Sequence, residues 1–346
     1  GLKALIQNKM REHKSNQNLL HYHCIIHQES LCAKVLSFDH VMKIVIKTVN
    51  FIRSRALHHR QFQSFLQQVN ASYGEIIYFT EIRWLSRGKV LKRFFELRNE
   101  IKKFMIEKEK PIAELTNYKW LFDLAFLVDV TSHLNDLNMK LQGKNQLITE
   151  MMGHVRAFEL KLQLWNQQIK DKKLFHFSTC EIIKKESKMN LNESYQPYSS
   201  QLEKLSKEFS QRFKDFRQND LSLKIFSNPF AVNVNNVPEE MQMEIIELQC
   251  NIDLESNFVS KENLEFYKSL PNSFPELREN ALRIISMFGS TYLCEKFFSS
   301  MKNTKNKLRS RLTDENLKAS LKICVNQSFT PDFDHLIKNK QLHVSH

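Results

Sequence analysis

The sequence predicts a predominantly α-helical protein, and three observations carry that expectation. Gly and Pro number only 6 and 7 in 346 residues, too few for the turns of a β-sandwich or for Gly-rich nucleotide loops. Apolar residues recur with a 3.6-residue period through most of the chain. One stretch alone, Leu19–His27, alternates as a half-buried strand does, with Leu20, Tyr22, Cys24 and Ile26 opposite His21, His23 and His27.

In chain order, Leu2–Arg11 reads as a short helix with Leu2, Leu5 and Ile6 on one side, and Ser15–Asn18 as a turn. After the strand, Leu31, Val35 and Phe38 lead into a helix over Val41–Arg55 with Val41, Ile44, Val45, Val49 and Ile52 inside. Phe62, Phe65, Leu66 and Val69 form a further face, and Ile76–Trp84 is β-branched and aromatic enough for a short extended piece. A helix over Lys89–Lys108 buries Val90, Leu91, Phe94, Leu97, Ile101 and Phe104 and turns Lys92, Arg93, Lys102 and Lys103 outward. Tyr118–Gln142 and Leu147–Lys170 form a helical hairpin, with Gly143 as its natural C′ residue. Lys184–Ser200 is polar, Leu202 to Phe216 marks another helix, Asn228–Val237 a loop and Met241–Asn251 a helix; Pro271 and Pro275 punctuate the return to the last block.

That block, Gly289–Leu321, places Leu293, Phe297 and Met301 on one helical face with Glu295 beside the stripe. Lys302, Lys305, Lys307, Arg309 and Arg311 follow without an intervening acid, which supplies charge for phosphates but no geometry for reading bases. Thr313 then caps a second helix, Asp314 and Glu315 favour its dipole, Leu312 can staple to Leu317, and Leu317, Leu321 and Cys324 share a face. A solvated turn competes with the phosphate reading of the basic run. The second helix needs a partner within the chain or across subunits.

Lys and Arg exceed Asp and Glu by 13, which biases the partners toward polyanions. Six scattered cysteines in apolar segments read as reduced thiols, and no apolar run approaches transmembrane length, so a membrane is not expected. The N-terminus shows no signal peptide, and the chain opens inside an amphipathic segment, as a fragment would. Neither a nucleotide loop, a nucleophile elbow nor an HExxH motif is present, so no cofactor is implied. His21, His23, Cys24 and His27 are possible zinc ligands, but a strand sends Cys24 away from the histidines, and no second pair lies at finger spacing; no metal site is expected.

Thr291, Glu295, Phe298 and Ser299, followed by a basic loop and a Leu-rich helix, resemble the C-terminal block of hAT-superfamily transposases. Cys24-Ile25-Ile26-His27 is similar to the CxxH motif of that family, and Arg83-Trp84 to its TRW motif. The wording HCIIHQE, TEIRWLSRGKVLKRFFELRNEI, DLAFLVDVTSHLNDLNMKLQG and MFGSTYLCEKFFSSMK resembles the transposase-derived portion of general transcription factor II-I repeat domain-containing proteins; BED zinc-finger relatives share much of it. The resemblance implies a partial RNase H-like core, one strand plus C-terminal helices, interrupted by a large all-helical insertion. Residues 1–28 would end the core, 29–273 form the insertion, and 274–346 return to the core and dimerise. It further implies that Glu295 is the third acid of the family's metal-binding triad, that Leu317 and Leu321 serve dimerisation, and that Arg83 and Trp84 meet DNA, Arg by phosphate contact and Trp by stacking. A Trp buried in the core, flanked by Ile82 and Leu85, is the competing reading.

The family places two further acids upstream of CxxH, whereas the first Asp in this chain is Asp39, and Lys296 stands where the family has Arg. One carboxylate cannot assemble a two-metal site. The expectation is a domesticated, catalytically inactive nuclear protein, not an enzyme in the covered chain, that binds DNA or chromatin, forms homo-oligomers and acts in transcription regulation. The C-terminal part of an active hAT transposase and a helical interaction scaffold are the alternatives.

Overall fold

In a computed structural model of the chain, residues 2–325 are described apart from 14–21, 72, 78–83, 144–145, 187–194, 219, 288 and 307–308, with 330, 332 and 337 beyond them. The described residues contain helices and no strand. They divide into two compact units, 1–290 and 291–346.

The first unit holds α1 (Leu2–Glu12), α2 (Ile25–Cys32), α3 (Asp39–Arg53), α4 (Ala56–Gln68), α5 (Trp84–Glu96), α6 (Arg98–Glu107), α7 (Tyr118–Leu141) and α8 (Ile148–Lys170). It continues through α9 (Ser178–Glu186), α10 (Gln196–Arg212), α11 (Lys214–Gln218), α12 (Asp220–Ser227), α13 (Glu239–Gln249), α14 (Ile252–Ser260), α15 (Asn263–Ser269) and α16 (Pro275–Ile285).

The organising element is α7. Leu121, Leu124, Val128, Leu134 and Leu137 make the expected stripe, but Phe122, Phe126, Leu127 and Val130 are buried as well. A helix apolar around most of its circumference must be enclosed, and α7 touches α2, α3, α5, α8 and α9. Each fully buried Leu or Phe contributes about 1.5–3 kcal/mol. Asn117 caps α7 by accepting the Trp120 N–H at 3.2 Å. At the other end Gln142 is extended and its N–H reaches Asn138 and Met139, so the helix closes without a left-handed glycine at Gly143. The expected stripe of α8 is buried from Met151 to Ile169. Along it lies α10, through Leu202, Leu205 and Phe209.

Among the described residues, the strand expected over Leu19–His27 is not formed. Leu19, Leu20 and His21 lie outside the described residues, 22–24 have no regular structure, and Ile25 begins α2. The physical reason is burial of Ile25, Gln28, Glu29 and Cys32, a helical i, i+3, i+4, i+7 set concealed in the sequence because two of its members are polar. Tyr22 is fixed by stacking on Phe216 at 4.4 Å, and the Ile25 N–H is held by the Gly289 carbonyl at 3.0 Å. The one strand expected of a partial RNase H-like core is therefore not seen among the described residues, while the C-terminal helices expected with it are present. Two smaller departures accompany it. The helix expected over Lys89–Lys108 breaks at Leu97 into α5 and α6, and residues 75–77 are irregular, with Ile76 buried.

The second unit is built from α17 (Tyr292–Thr304) and α18 (Asp314–Val325), packed on each other.

Candidate functional site

The candidate surface is the α17–α18 pair and the basic loop joining it. In α17 no residue is buried: Leu293 is 50 %, Phe297 39 % and Phe298 58 % exposed, so the apolar face read from the sequence lies open. The two phenyl rings meet edge to face at 6.1 Å. In α18, Leu321 is buried and Leu317 half-buried, while Ile323 is 78 % exposed. Thr313 caps α18 as its sequence implies, with its hydroxyl accepting from the Asn316 N–H at 3.4 Å and its carbonyl from the Leu317 N–H at 2.9 Å.

Glu295 sits in the first turn of α17, exposed, where its Oε1 accepts the Thr291 hydroxyl at 2.9 Å. Carboxylates favour that end of a helix, since unsatisfied N–H groups and the dipole face them. Among the described residues no three His, Cys, Asp or Glu side chains converge so as to hold a metal ion. Glu295 alone, turned to solvent and bonded to a hydroxyl, does not fit the family's divalent metal. Cys24 is half-buried ahead of α2, and His23 and His27 are exposed.

Within the loop, Lys302, Arg309 and Arg311 are exposed and Lys305 is half-buried; Lys307 lies outside the described residues. Asparagines shape the turn, since Asn306 donates to the Asn303 carbonyl at 3.0 Å and accepts the Arg309 N–H at 3.2 Å. Lys305 pairs with Asp314 at 3.2 Å. Arg309 and Arg311 border an open cavity of about 370 Å³ completed by Leu312, Thr313 and Asn316. Arg83 lies outside the described residues, as does the side chain of Trp84, whose backbone begins α5.

Pattern reading missed a set of buried polar residues on α7 and α2. Asp123 accepts from Tyr198 at 2.6 Å, Lys119 at 3.3 Å and His40 at 3.0 Å, joining α10 and α3 to α7. Asp129 accepts the backbone N–H groups of Thr179 and Cys180 at 3.1 and 3.0 Å; burial raises its pKa while those bonds lower it. His133 stacks on Trp165 at 4.1 Å, and burial lowers its pKa. A neutral ring bonded to the His176 carbonyl at 2.9 Å donates from Nε2. Asn138 donates to the buried Glu29. The only signal in the sequence was a polar residue inside an otherwise apolar helix.

Two family profiles match the chain. One described as the FAM200/GTF2IRD2 helical domain covers residues 23–170, and one described as the hAT family C-terminal dimerisation region covers 251–329. The chain is 42 % identical over 314 residues to general transcription factor II-I repeat domain-containing protein 2 of Bos taurus, covering 91 % of this chain and 32 % of that protein. It is 42 % identical over 282 residues to the Mus musculus protein of that name, covering 82 % of this chain and 30 % of the relative. The chain thus spans about a third of the length of these relatives. No solved structure matches it.

Proposed function

Since this chain belongs to the hAT-transposase-like proteins that join a FAM200/GTF2IRD2 helical domain to a hAT dimerisation region, we propose that it is a non-catalytic nuclear member that self-associates and binds DNA in transcription regulation. The observation that carries the reading is the open face of α17, Leu293, Phe297 and Phe298, within the residues that match the dimerisation region. An exposed cluster of this kind is costly in water and gains free energy when a second copy covers it. DNA enters through Lys302, Lys305, Lys307, Arg309 and Arg311, which offer phosphate contacts; Arg83 and Trp84 add a cation and a stacking surface. The names of the relatives, which refer to a transcription factor, support the regulatory and nuclear part.

Sedimentation of the parent and of the Leu293→Asp/Phe297→Asp variant tests self-association. The parent sediments as a dimer or larger and the variant as a monomer with unchanged helicity. A monomeric parent at micromolar concentration sinks the self-association reading. The DNA part is tested by replacing the five basic residues with Gln, which weakens binding about equally on unrelated duplexes.

A further inference from the structure

The chain's charge is not spread evenly. Residues 1–110 carry 20 Lys and Arg against 9 Asp and Glu, residues 111–290 carry 21 against 24, and residues 291–346 carry 10 against 5. Within the N-terminal end, 5 of the 11 excess cations come from one acid-free run. From His40 to Gly74 there is no Asp or Glu, while Lys43, Lys47, Arg53, Arg55 and Arg60 all fall within it. That run is the α3–α4 hairpin, two packed helices joined by Ser54 and Arg55 alone.

The structure separates the cations that hold the hairpin together from those that do not. Arg53 is structural: its Nη1 reaches His59 at 2.8 Å, Glu75 at 3.1 Å and the Ile76 carbonyl at 3.2 Å. His40 is bonded to Asp123. His58 Nδ1 lies 3.1 Å from the Phe51 carbonyl, and the Phe51 ring takes the Lys110 ammonium at 4.6 Å. Lys43, Lys47, Arg55 and Arg60 are instead exposed and enter no ion pair among the described residues.

Their neighbours complete a surface of donors. On α3, Lys43, Lys47, Asn50 and the following Ser54 repeat at i, i+4, i+7 and i+11, all exposed; on α4, Arg60, Ser64 and Gln67 repeat at i, i+4 and i+7, also exposed. Ser54 and Arg55, which join the two helices, are both exposed. We propose that the exposed stripes of the α3–α4 hairpin are a second duplex-DNA surface, contacting phosphates through Lys43, Lys47, Arg55 and Arg60. Flexible cations beside amide and hydroxyl donors are the usual equipment for phosphate contacts, which position a duplex without reading its sequence. An anionic membrane is a poorer fit, because interfacial helices need an apolar face, and the large apolar side chain exposed within α3 and α4 is Leu57 alone. The inference rests on the DNA-binding reading above and extends it to the other basic end of the chain.

The experiment measures binding of the whole chain to a fluorescent duplex of arbitrary sequence between about 50 and 200 mM salt. The variant is Lys43→Gln/Lys47→Gln/Arg55→Gln/Arg60→Gln, with circular dichroism confirming its helicity. It should bind at least about tenfold more weakly, and its slope of log affinity against log salt should flatten by about 0.9 for each phosphate it no longer neutralises. The Lys43→Arg/Lys47→Arg variant should keep parental binding. If the four-fold variant falls short of parental helicity, the two pairwise variants, Lys43→Gln/Lys47→Gln and Arg55→Gln/Arg60→Gln, carry the test. If the Gln variant binds as the parent does while the C-terminal loop variant loses affinity, the hairpin is not a DNA surface and the general reading stands. If the parent binds no duplex at low salt, both fall. Parental binding to phosphatidylserine vesicles but not to duplex, lost in the same Gln variant, overturns the proposal in favour of a membrane.

Discussion

The carboxylate of Asp129 on α7 accepts the backbone N–H of Cys180 on α9 at 3.0 Å, so one helix supplies the N-terminal cap of another 51 residues away. Thr179 donates to the second site, Asp129 Oδ1. Local capping by Ser or Asp satisfies the same orphan donors from within the segment. Here the cap also fixes where α9 sits on the core, and burial strengthens both bonds.

Asp129→Ala should therefore cost about 2–3 kcal/mol in urea unfolding, since it leaves the buried Cys180 N–H and the half-buried Thr179 N–H without an acceptor. Asp129→Asn retains one acceptor oxygen and should cost less. Equal losses for the two variants would mean that the cap contributes through packing rather than hydrogen bonding.

Much of the fold was legible because core helices advertise themselves by period. The α7–α8 stripes, Leu121 to Leu141 and Met151 to Ile169, are buried as their spacing implies. What misled was polarity inside the core. Gln28 and Glu29 are buried beside Ile25 and Cys32, and a reader who expects polar residues outside sees alternation over Leu20–Ile26 and assigns a strand. For the candidate site, the apolar face of α17 and the Thr313 cap were visible. The carboxylates Asp123, Asp129 and Glu29 were not, because their partners lie 75, 51 and 109 positions away in sequence.

Glu29 gives a pH prediction. Burial pushes its carboxyl up from 4.5 to about 7, against the opposing bond from Asn138, and its Oε1 has no hydrogen-bond partner among the described residues. A folded-state pKa above the unfolded one means that the folded chain keeps a proton the unfolded chain has already released. The corresponding stability is complete below pH 4.5 and is lost as pH rises through about 7. Full loss amounts to about 3 kcal/mol. Glu29→Gln removes the titration, so the variant should match the parent at the acid end and exceed it at pH near 8. A parent-to-variant difference independent of pH would show that the Glu29 carboxyl has the same pKa in the folded and unfolded chain, and would overturn the prediction.

Gly88 lies at a tight contact of α5 with α7. A Cβ built there would lie 2.3 Å from Asn135 Nδ2 and 3.4 Å from Thr131 Cβ. Asn135 can swing aside, and Ala gains about 1 kcal/mol of helix propensity over Gly, so Gly88→Ala should be nearly neutral in thermal unfolding. Gly88→Val adds γ carbons that must enter the space of Thr131, and should cost about 2 kcal/mol or more. A neutral Val variant would contradict the tight α5–α7 contact.

The last prediction concerns chemistry: the chain should show no magnesium- or manganese-dependent nicking or strand transfer on duplex DNA. Two-metal phosphoryl transfer clamps the attacking and leaving oxygens between cations that several carboxylates must hold. Glu295 is exposed in the first turn of α17 and engaged with Thr291. Its neighbour Lys296 replaces the expected Arg, and Lys305 has its own acid in Asp314. A carboxylate in that setting stabilises a helix start, a contribution of about 0.3–1 kcal/mol, and among the described residues no cluster of acids stands ready to share a cation with it. Glu295→Gln should accordingly lower stability slightly and leave supercoiled plasmid intact, as the parent does in either metal. Metal-dependent nicking by the parent that disappears in Glu295→Gln would restore a catalytic role to this residue and remove the non-enzymatic reading with it.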